Sequence, residues 1–373
     1  MKICHVIYIP RFSGAEILVR ELARDHAAKG HQIAVISLMP LEESFRSQQQ
    51  LLEQANVDMA FPTRMLGKYG RFQFLTQQLR RWKPDIILGH AVIPSLYAQI
   101  AAKLAGLTQT SVINVLHDAS QDDYASWYFQ ALEKWIAPDA DAVVAVSQLG
   151  AENYVKRIRP VSVPYVIPNG INLERIVQAS SQREQVRNQV FSVSDQDVVY
   201  LQVGRFNQIK QQHLTLQAYA QAAQTAEFTS KLFLAGIVED PNYEQSLRQR
   251  VAELNLENQV VFLGARSDVP ELLAGADVYL MPSKQEAHSV AFAEALASGI
   301  TIVASDIPSF QYGRSFQGVD LIQPEQTEVF ARRLTESAYT AVQVRWHRDL
   351  SAYAIEQTAN AYLNVFQALS PCQ

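Results

Sequence analysis

The stretch from Met281 to Asp306, MPSKQEAHSVAFAEALASGITIVASD, sets two carboxylates beside a helix start and a following run of Ile and Val. Ser289 is an N-cap candidate, because Val290 onward runs through Ala, Phe, Ala, Glu, Ala and Leu with no breaker before Ser298-Gly299. Glu286 then lies in the preceding loop, and Glu294 about one turn past Val290 on the same face. The amides at such a helix start, around His288, Ser289 and Val290, favour an anion such as phosphate. Two ionised carboxylates beside them repel phosphate but accept hydrogen bonds from hydroxyls. A ligand joining phosphates to polyol groups suits both halves. The competing reading is two exposed glutamates on a surface loop and helix.

The rest of the chain supplies elements that can position such a site. MKICHVIYIP is a first buried strand, too short to span a membrane and without a signal-peptide cleavage pattern. It leads through Arg11-Phe12-Ser13-Gly14-Ala15-Glu16 into an amphipathic run, Ile17 to Ala28, and a second strand, Gln32 to Leu38. That is one βα unit, whose turn faces the ligand side of a parallel sheet. Strands over Ile86 to Leu88 and Ser111 to Leu116 end at Gly89-His90 and His117-Asp118, both at the ligand crevice. Further strands fall at Val198 to Val203, Lys231 to Gly236, Val260 to Gly264 and Asp277 to Met281, with a final helix at about Ser351 to Leu369. The polar stretch Leu173 to Asp197 reads as linker and entry helix.

At 373 residues the chain has room for two or three domains and an ample core. It carries 32 Lys plus Arg against 37 Asp plus Glu, a formal charge of −5, so no global field recruits nucleic acid. Cys4 and Cys372 stand at opposite ends, which excludes a disulfide framework and fits a reducing, cytoplasmic compartment. The G-x-G-x-x-G of a dinucleotide fold is absent, which disfavours a nicotinamide oxidoreductase. Asp139-Ala140-Asp141 forms a D-x-D triplet, but it sits where a helix hands over to the apolar run Ala142 to Val146 and is read as structural, without metal. Residues 64–83 hold Arg64, Lys68, Arg71, Arg80, Arg81 and Lys83 with no acid, and Phe72, Leu75 and Leu79 at helical spacing. This is a basic amphipathic helix, read first as a solvated face and second as a peripheral contact with an anionic or membrane-linked acceptor at the inner membrane face.

The pattern P-S-x-x-E-x7-E-A-x-A-x-G-x-x-(I/V)-V-A-S around Glu286 and Glu294 resembles the E-x7-E signature of retaining nucleotide-sugar glycosyltransferases of family 4. The resemblance implies the α/β GT-B fold, two Rossmann-like parallel-sheet domains facing across a cleft. It divides the chain into an acceptor-binding domain at 1–172, a donor-binding domain at 173–350, and a C-terminal helix at 351–373 that packs back on the first domain. In the family the first Glu grips hydroxyls of the donor sugar and the second grips the ribose. Gly204-Arg205-Phe206-Asn207-Gln208-Ile209-Lys210 matches the family form G-R-x-x-x-x-K, whose Arg and Lys both meet the donor diphosphate. The order Gly14-Ala15-Glu16 resembles the amino-terminal donor loop, in which Ser13 replaces one of two common glycines, so close approach of the backbone to a phosphate rests on Gly14. His117 in V-L-H-D matches a histidine near the donor sugar; His90 has less support. The loop Ala265 to Pro270, with Arg266, resembles the one that holds the nucleobase, and Pro168-Asn169-Gly170-Ile171-Asn172 the interdomain turn, with Gly170 suited to a positive φ. Three departures stand out: Ala287, Ser13 and Gln211 occupy positions where the family commonly has glycine.

The implied reaction moves a sugar from a nucleotide diphosphate sugar, expected to be a UDP-sugar, to the hydroxyl of an acceptor glycan, lipid-linked sugar or small molecule, with retained configuration. No metal or other cofactor is expected. Arg205, Lys210, Glu286 and His117 are the catalytic candidates, with the cations stabilising charge on the departing diphosphate. Two alternatives stay open: a GT-B nucleotide-sugar epimerase, and a non-catalytic nucleotide-sugar-binding partner subunit.

Overall fold

The computed structural model describes residues 1–11, 13–117, 127–160, 162–341 and 344–369. Phe12, Asp118 and Cys372, named above, lie outside the described residues. Contacts along the chain gather into two compact units, Met1–Gly170 with Tyr353–Gln373, and Ile171–Ala352.

The first unit is built on seven strands, β1 (Lys2–Ile7), β2 (Gln32–Ser37), β3 (Asp58–Ala60), β4 (Ile86–His90), β5 (Ser111–Leu116), β6 (Ala142–Ala145) and β7 (Tyr165–Val166). They are parallel throughout, in the order β3-β2-β1-β4-β5-β6-β7. Helices cover both faces, so the central strands are continuous apolar runs. Alternate residues serve the two faces. Ile3 and Ile7 pack with Val35, while Cys4 and Val6 pack with Leu75 and Leu79 of the helix Lys68–Trp82. The apolar spacing in the basic stretch is therefore a core stripe, with Leu75 and Leu79 buried. Arg71 lies over the Tyr8 ring and donates to its hydroxyl at 3.2 Å.

The last helix, Ile355–Leu369, buries Ile355, Ala359, Tyr362, Val365 and Phe366 in this same core. Gly170 sits beside it. The expected positive φ at Gly170 is not met; what demands glycine is contact, since a Cβ there would lie 2.6 Å from Thr358 Oγ1 and 2.7 Å from Ile355 Cα. Asp139 and Asp141 turn to separate partners, Asp139 to Lys103 at 2.6 Å and Asp141 to the Val112 N–H at 2.7 Å. They brace the start of β5 and the adjacent helix.

The second unit carries six parallel strands, β8 (Val198–Val203), β9 (Ser230–Ala235), β10 (Val260–Gly264), β11 (Val278–Met281), β12 (Thr301–Ser305) and β13 (Val319–Ile322), in the order β10-β9-β8-β11-β12-β13. Its entry segment is more than a linker. Helices Leu173–Ser180 and Arg183–Val186 run into a π-turn, Arg187–Phe191. Arg187, buried, pairs with Asp277 at 2.9 Å and donates to the carbonyls of Gly275, Ser194 and Asp197. Both terminal nitrogens of the guanidinium are hydrogen-bonded, and losing Asp277 would strand a buried charge at a cost of about 3–5 kcal/mol.

Candidate functional site

In the second sheet the chain moves outward from β8 to β9 and β10, then returns to place β11 on the other side of β8. Ligands of open parallel sheets bind at this switch, beyond the carboxyl ends of the strands. The loops after β8 and β11 carry Gly204 to Lys210 and Pro282 to Ser289, and Lys284 N–H to the Ile209 carbonyl at 2.8 Å ties one to the other.

Each side chain has a local reason for its place. Asn207 caps the single turn Gln208–Lys210, its Oδ1 accepting from Lys210 N–H at 3.1 Å. That turn directs the Lys210 ammonium to the Glu286 carboxylate, and the two form a largely buried ion pair. Arg205 pairs with Glu239, which also accepts from Asn207 Nδ2. Gln211, next in the chain, has φ 49° and ψ 38°. This is the left-handed conformation glycine adopts freely, and a side chain pays about 1 kcal/mol or more for it.

Ser289 caps the helix Val290–Ala297, its Oγ accepting from Phe292 N–H at 3.3 Å. Glu294 is on this helix and Glu286 in the loop before it, and both charges bear on the phenol of Tyr279 in β11. Burial first, then these two carboxylates, hold that phenol well above its usual range. The structure thus brings Arg205, Lys210, Glu286 and Glu294 to the loops and helix at one switch point. His288 stacks on Tyr312 with ring centroids 5.1 Å apart, and burial pushes its pKa down to about 4, so it is a neutral packing ring. Arg266, after β10, is committed to Asp268 through two hydrogen bonds, Nε to Oδ1 at 2.8 Å and Nη2 to Oδ2 at 2.5 Å.

In the first unit the switch falls between β1 and β4. The helix after β1 begins at Gly14, three residues earlier than its apolar periodicity shows, with Ser13 as extended N-cap and the Ser13 hydroxyl on the Glu16 carboxylate. Gly14 is thus the first helical residue rather than part of a turn. His117 follows β5 and joins a chain of imidazoles: His5 Nδ1 to His90 Nε2, and His90 Nδ1 to His117 Nε2, each 2.9 Å. Ala91, after His90, has φ 72° and ψ 171°, a conformation costing about 1–3 kcal/mol that non-glycine residues keep only where the surroundings enforce it. Sequence reasoning missed His5, Glu239 and Asn207. For His5 a signal existed, a histidine inside an apolar strand; Glu239, next to Asp240 after β9, has none.

A parallel α/β unit with paired cations after β8, paired carboxylates around the helix that follows β11, and a second parallel α/β unit on the same chain defines a protein of the GT-B class. The profile described as Glycosyltransferase Family 4 matches residues 12–175, and that described as Glycosyl transferases group 1 matches residues 182–338. The chain belongs to glycosyltransferase family 4, whose members are retaining transferases that use nucleotide sugars.

The UDP-Gal:α-D-GlcNAc-diphosphoundecaprenol α-1,3-galactosyltransferase of Escherichia coli is 24% identical over 62% of this chain and 60% of its own length. The N-acetyl-α-D-glucosaminyl L-malate synthase of Bacillus anthracis is 24% identical over 80% of this chain and 77% of its own. Among solved structures, Anabaena HepE in complex with UDP and glucose superposes with a TM-score of 0.78 at 20% identity, covering 99% of this chain and 100% of that one. Among the described residues, no helix is long and apolar enough to cross a membrane.

Proposed function

We propose that this protein transfers a sugar from a UDP-sugar to the hydroxyl of an acceptor glycan, lipid-linked sugar or small molecule. One observation carries the reading: two cations and two hydroxyl-accepting carboxylates gather at the switch point of the second sheet, where a diphosphate joined to two polyols needs both kinds of group. Arg205 and Lys210 take the diphosphate, Glu286 the sugar and Glu294 the ribose. The helix start at His288, Ser289 and Val290 adds backbone amides, and Gly204 and the Arg266 loop complete the donor contacts. From the first unit, Ser13, Gly14 and His117 are assigned to the donor as well. Residues 1–172 are then the acceptor-binding part, 173–350 the donor-binding part and 351–373 the returning helix.

The choice of uridine is supported by the UDP bound to HepE and the UDP-Gal used by the Escherichia coli relative. That relative also acts on a lipid-linked sugar. Residues 64–83, basic and carrying exposed Met65 and Tyr69, are the part we assign to a peripheral membrane contact at the cytoplasmic face.

Charge grows on the leaving diphosphate as the glycosidic bond breaks. Fixed cations stabilise it without reorganising. The departing phosphate oxygen takes the acceptor proton on the same face, which retains the anomeric configuration without a protein base.

Thermal denaturation with UDP-, GDP-, ADP- and dTDP-sugars tests the donor assignment, since a ligand of the native state raises the melting temperature by mass action. A shift with UDP-sugars, lost in Glu294→Ala, is expected. A shift confined to another nucleotide would replace the base, and no shift with any would remove the donor site.

A further inference from the structure

Three imidazoles form a ladder across adjacent strands of the first sheet: His5 on β1, His90 at the end of β4 and His117 just after β5. Neighbouring ring centroids are 5.2 Å apart at both steps, with the rings tilted by 18° and 27°. Each of the two 2.9 Å contacts between ring nitrogens holds one hydrogen. Burial leads the causes that hold all three rings neutral at physiological pH, so each carries a single N–H. Two arrangements satisfy both contacts. Either every hydrogen points from His5 towards His117, or every one points back.

The inner end decides between them. His5 Nε2 is buried without a hydrogen-bond partner. A buried N–H lacking an acceptor is rarer than an acceptor lacking a donor, so this nitrogen is the bare one. Behind it stacks His26, whose Nε2 faces the Ala359 carbonyl at 3.1 Å and must carry that ring's hydrogen. His26 Nδ1 is then a second bare acceptor in the same apolar surroundings. His5 therefore donates from Nδ1 to His90 Nε2, and His90 donates from Nδ1 to His117 Nε2. His117 is left with its hydrogen on Nδ1, the reverse of the Nε2–H form that an isolated neutral imidazole prefers.

We infer that His5 and His90 are positioning residues that fix His117 as the Nδ1–H tautomer, so that it offers a neutral hydrogen-bond donor, and no base, to an oxygen of the sugar donor. The contact with the sugar rests on the function proposed above; the tautomer rests on the ladder alone. For His117 to act as a base at Nδ1, the hydrogens of both neighbours would have to reverse and leave an orphaned N–H on His5.

The full chain labelled with 15N-histidine and observed without ligand by long-range 1H–15N correlation reads the tautomer directly. His117 signals are those lost in His117→Gln. A pyrrole-type Nδ1 and imine-type Nε2 are expected at His117, with reversion to the Nε2–H form in His90→Phe. An Nε2–H form in the unmutated protein overturns the inference. In the kinetic arm, folded His90→Phe should lose about tenfold in kcat, with KM for the sugar donor changed less than about twofold. His90→Gln, whose amide accepts at one end and donates at the other, should recover most of the rate. Unchanged kcat in His90→Phe overturns the positioning role even if the tautomer is as expected. Absence of nucleotide binding, in contrast, sinks the proposed function and leaves the tautomer result intact.

Discussion

Lys210 and Glu286 hold each other, as do Arg205 and Glu239. Each cation is thus occupied by a carboxylate that a diphosphate would displace, which keeps the charges aimed without leaving them bare. Exchange of one anion for another costs less than assembling the cations around a ligand afresh. Arg205→Ala and Lys210→Ala should each lower kcat at least about tenfold, or about 1.4 kcal/mol of barrier. Initial rates at saturating donor measure this, and near-normal rates would remove the electrostatic role. The Gly204 to Lys210 spacing and the Glu286 to Glu294 spacing are readable from the chain because each lies within one loop-and-helix segment. Glu239 and His5 are not, because their partners Arg205 and His90 come from other strands and only the sheet order makes them neighbours. His288 illustrates a subtler gap: the motif points to its amide at the helix start and says nothing of its ring, which is packed on Tyr312.

At the scale of elements, the end of β8 depends on how closely the chain after β9 approaches it. A Cβ on Gly236 would lie 1.9 Å from the Gly204 carbonyl oxygen, a backbone atom that cannot swing aside. Gly236→Ala should therefore cost about 1–3 kcal/mol of stability and shift the Gly204-Arg205 turn. Urea denaturation and nucleotide titration of the same variant check both effects, and a variant with wild-type stability would show that the loops have slack. β5, β8 and β10 can be bounded from their Val, Leu and Ile runs, because strands covered on both faces leave few polar interruptions. The helix beginning at Gly14 is harder, since its first residues, Gly14-Ala15-Glu16, are at most half-buried and do not carry the apolar period. The segment after Asn172 is harder still. Its composition is that of a linker, whereas the buried ion pair between Arg187 and Asp277 makes it part of the second core.

For the whole molecule, acidity should act on the two units unequally. His5, His26 and His117 in the first unit have pKa values lowered to about 3, 4 and 4, chiefly by burial, and His90 is also well below the usual range; the second unit has His288 at about 4. Between pH 6.5 and about 4 the unfolded chain binds protons that the native rings refuse, so stability falls as pH falls through this window. Each such ring contributes a slope of about 1.4 kcal/mol per pH unit. Calorimetry at pH 7 and pH 5 should show the first unit melting ahead of the second at the lower pH. A single transition that shifts as one would mean the units do not unfold independently.

The return of the last helix to the first unit has a consequence for how the molecule is made. A chain leaves the ribosome amino end first, and domains generally fold as they emerge. Here Ile355, Ala359, Tyr362, Val365 and Phe366 complete the core begun by Ile3, Ile7 and Val35. That face stays open until residues 355–366 have been synthesised, after all of the second unit. The second unit, Ile171–Ala352, is contiguous and needs nothing that comes later. The half of the protein that is translated first is therefore the half that finishes folding last, and during that interval its uncovered sheet face is what a chaperone would meet.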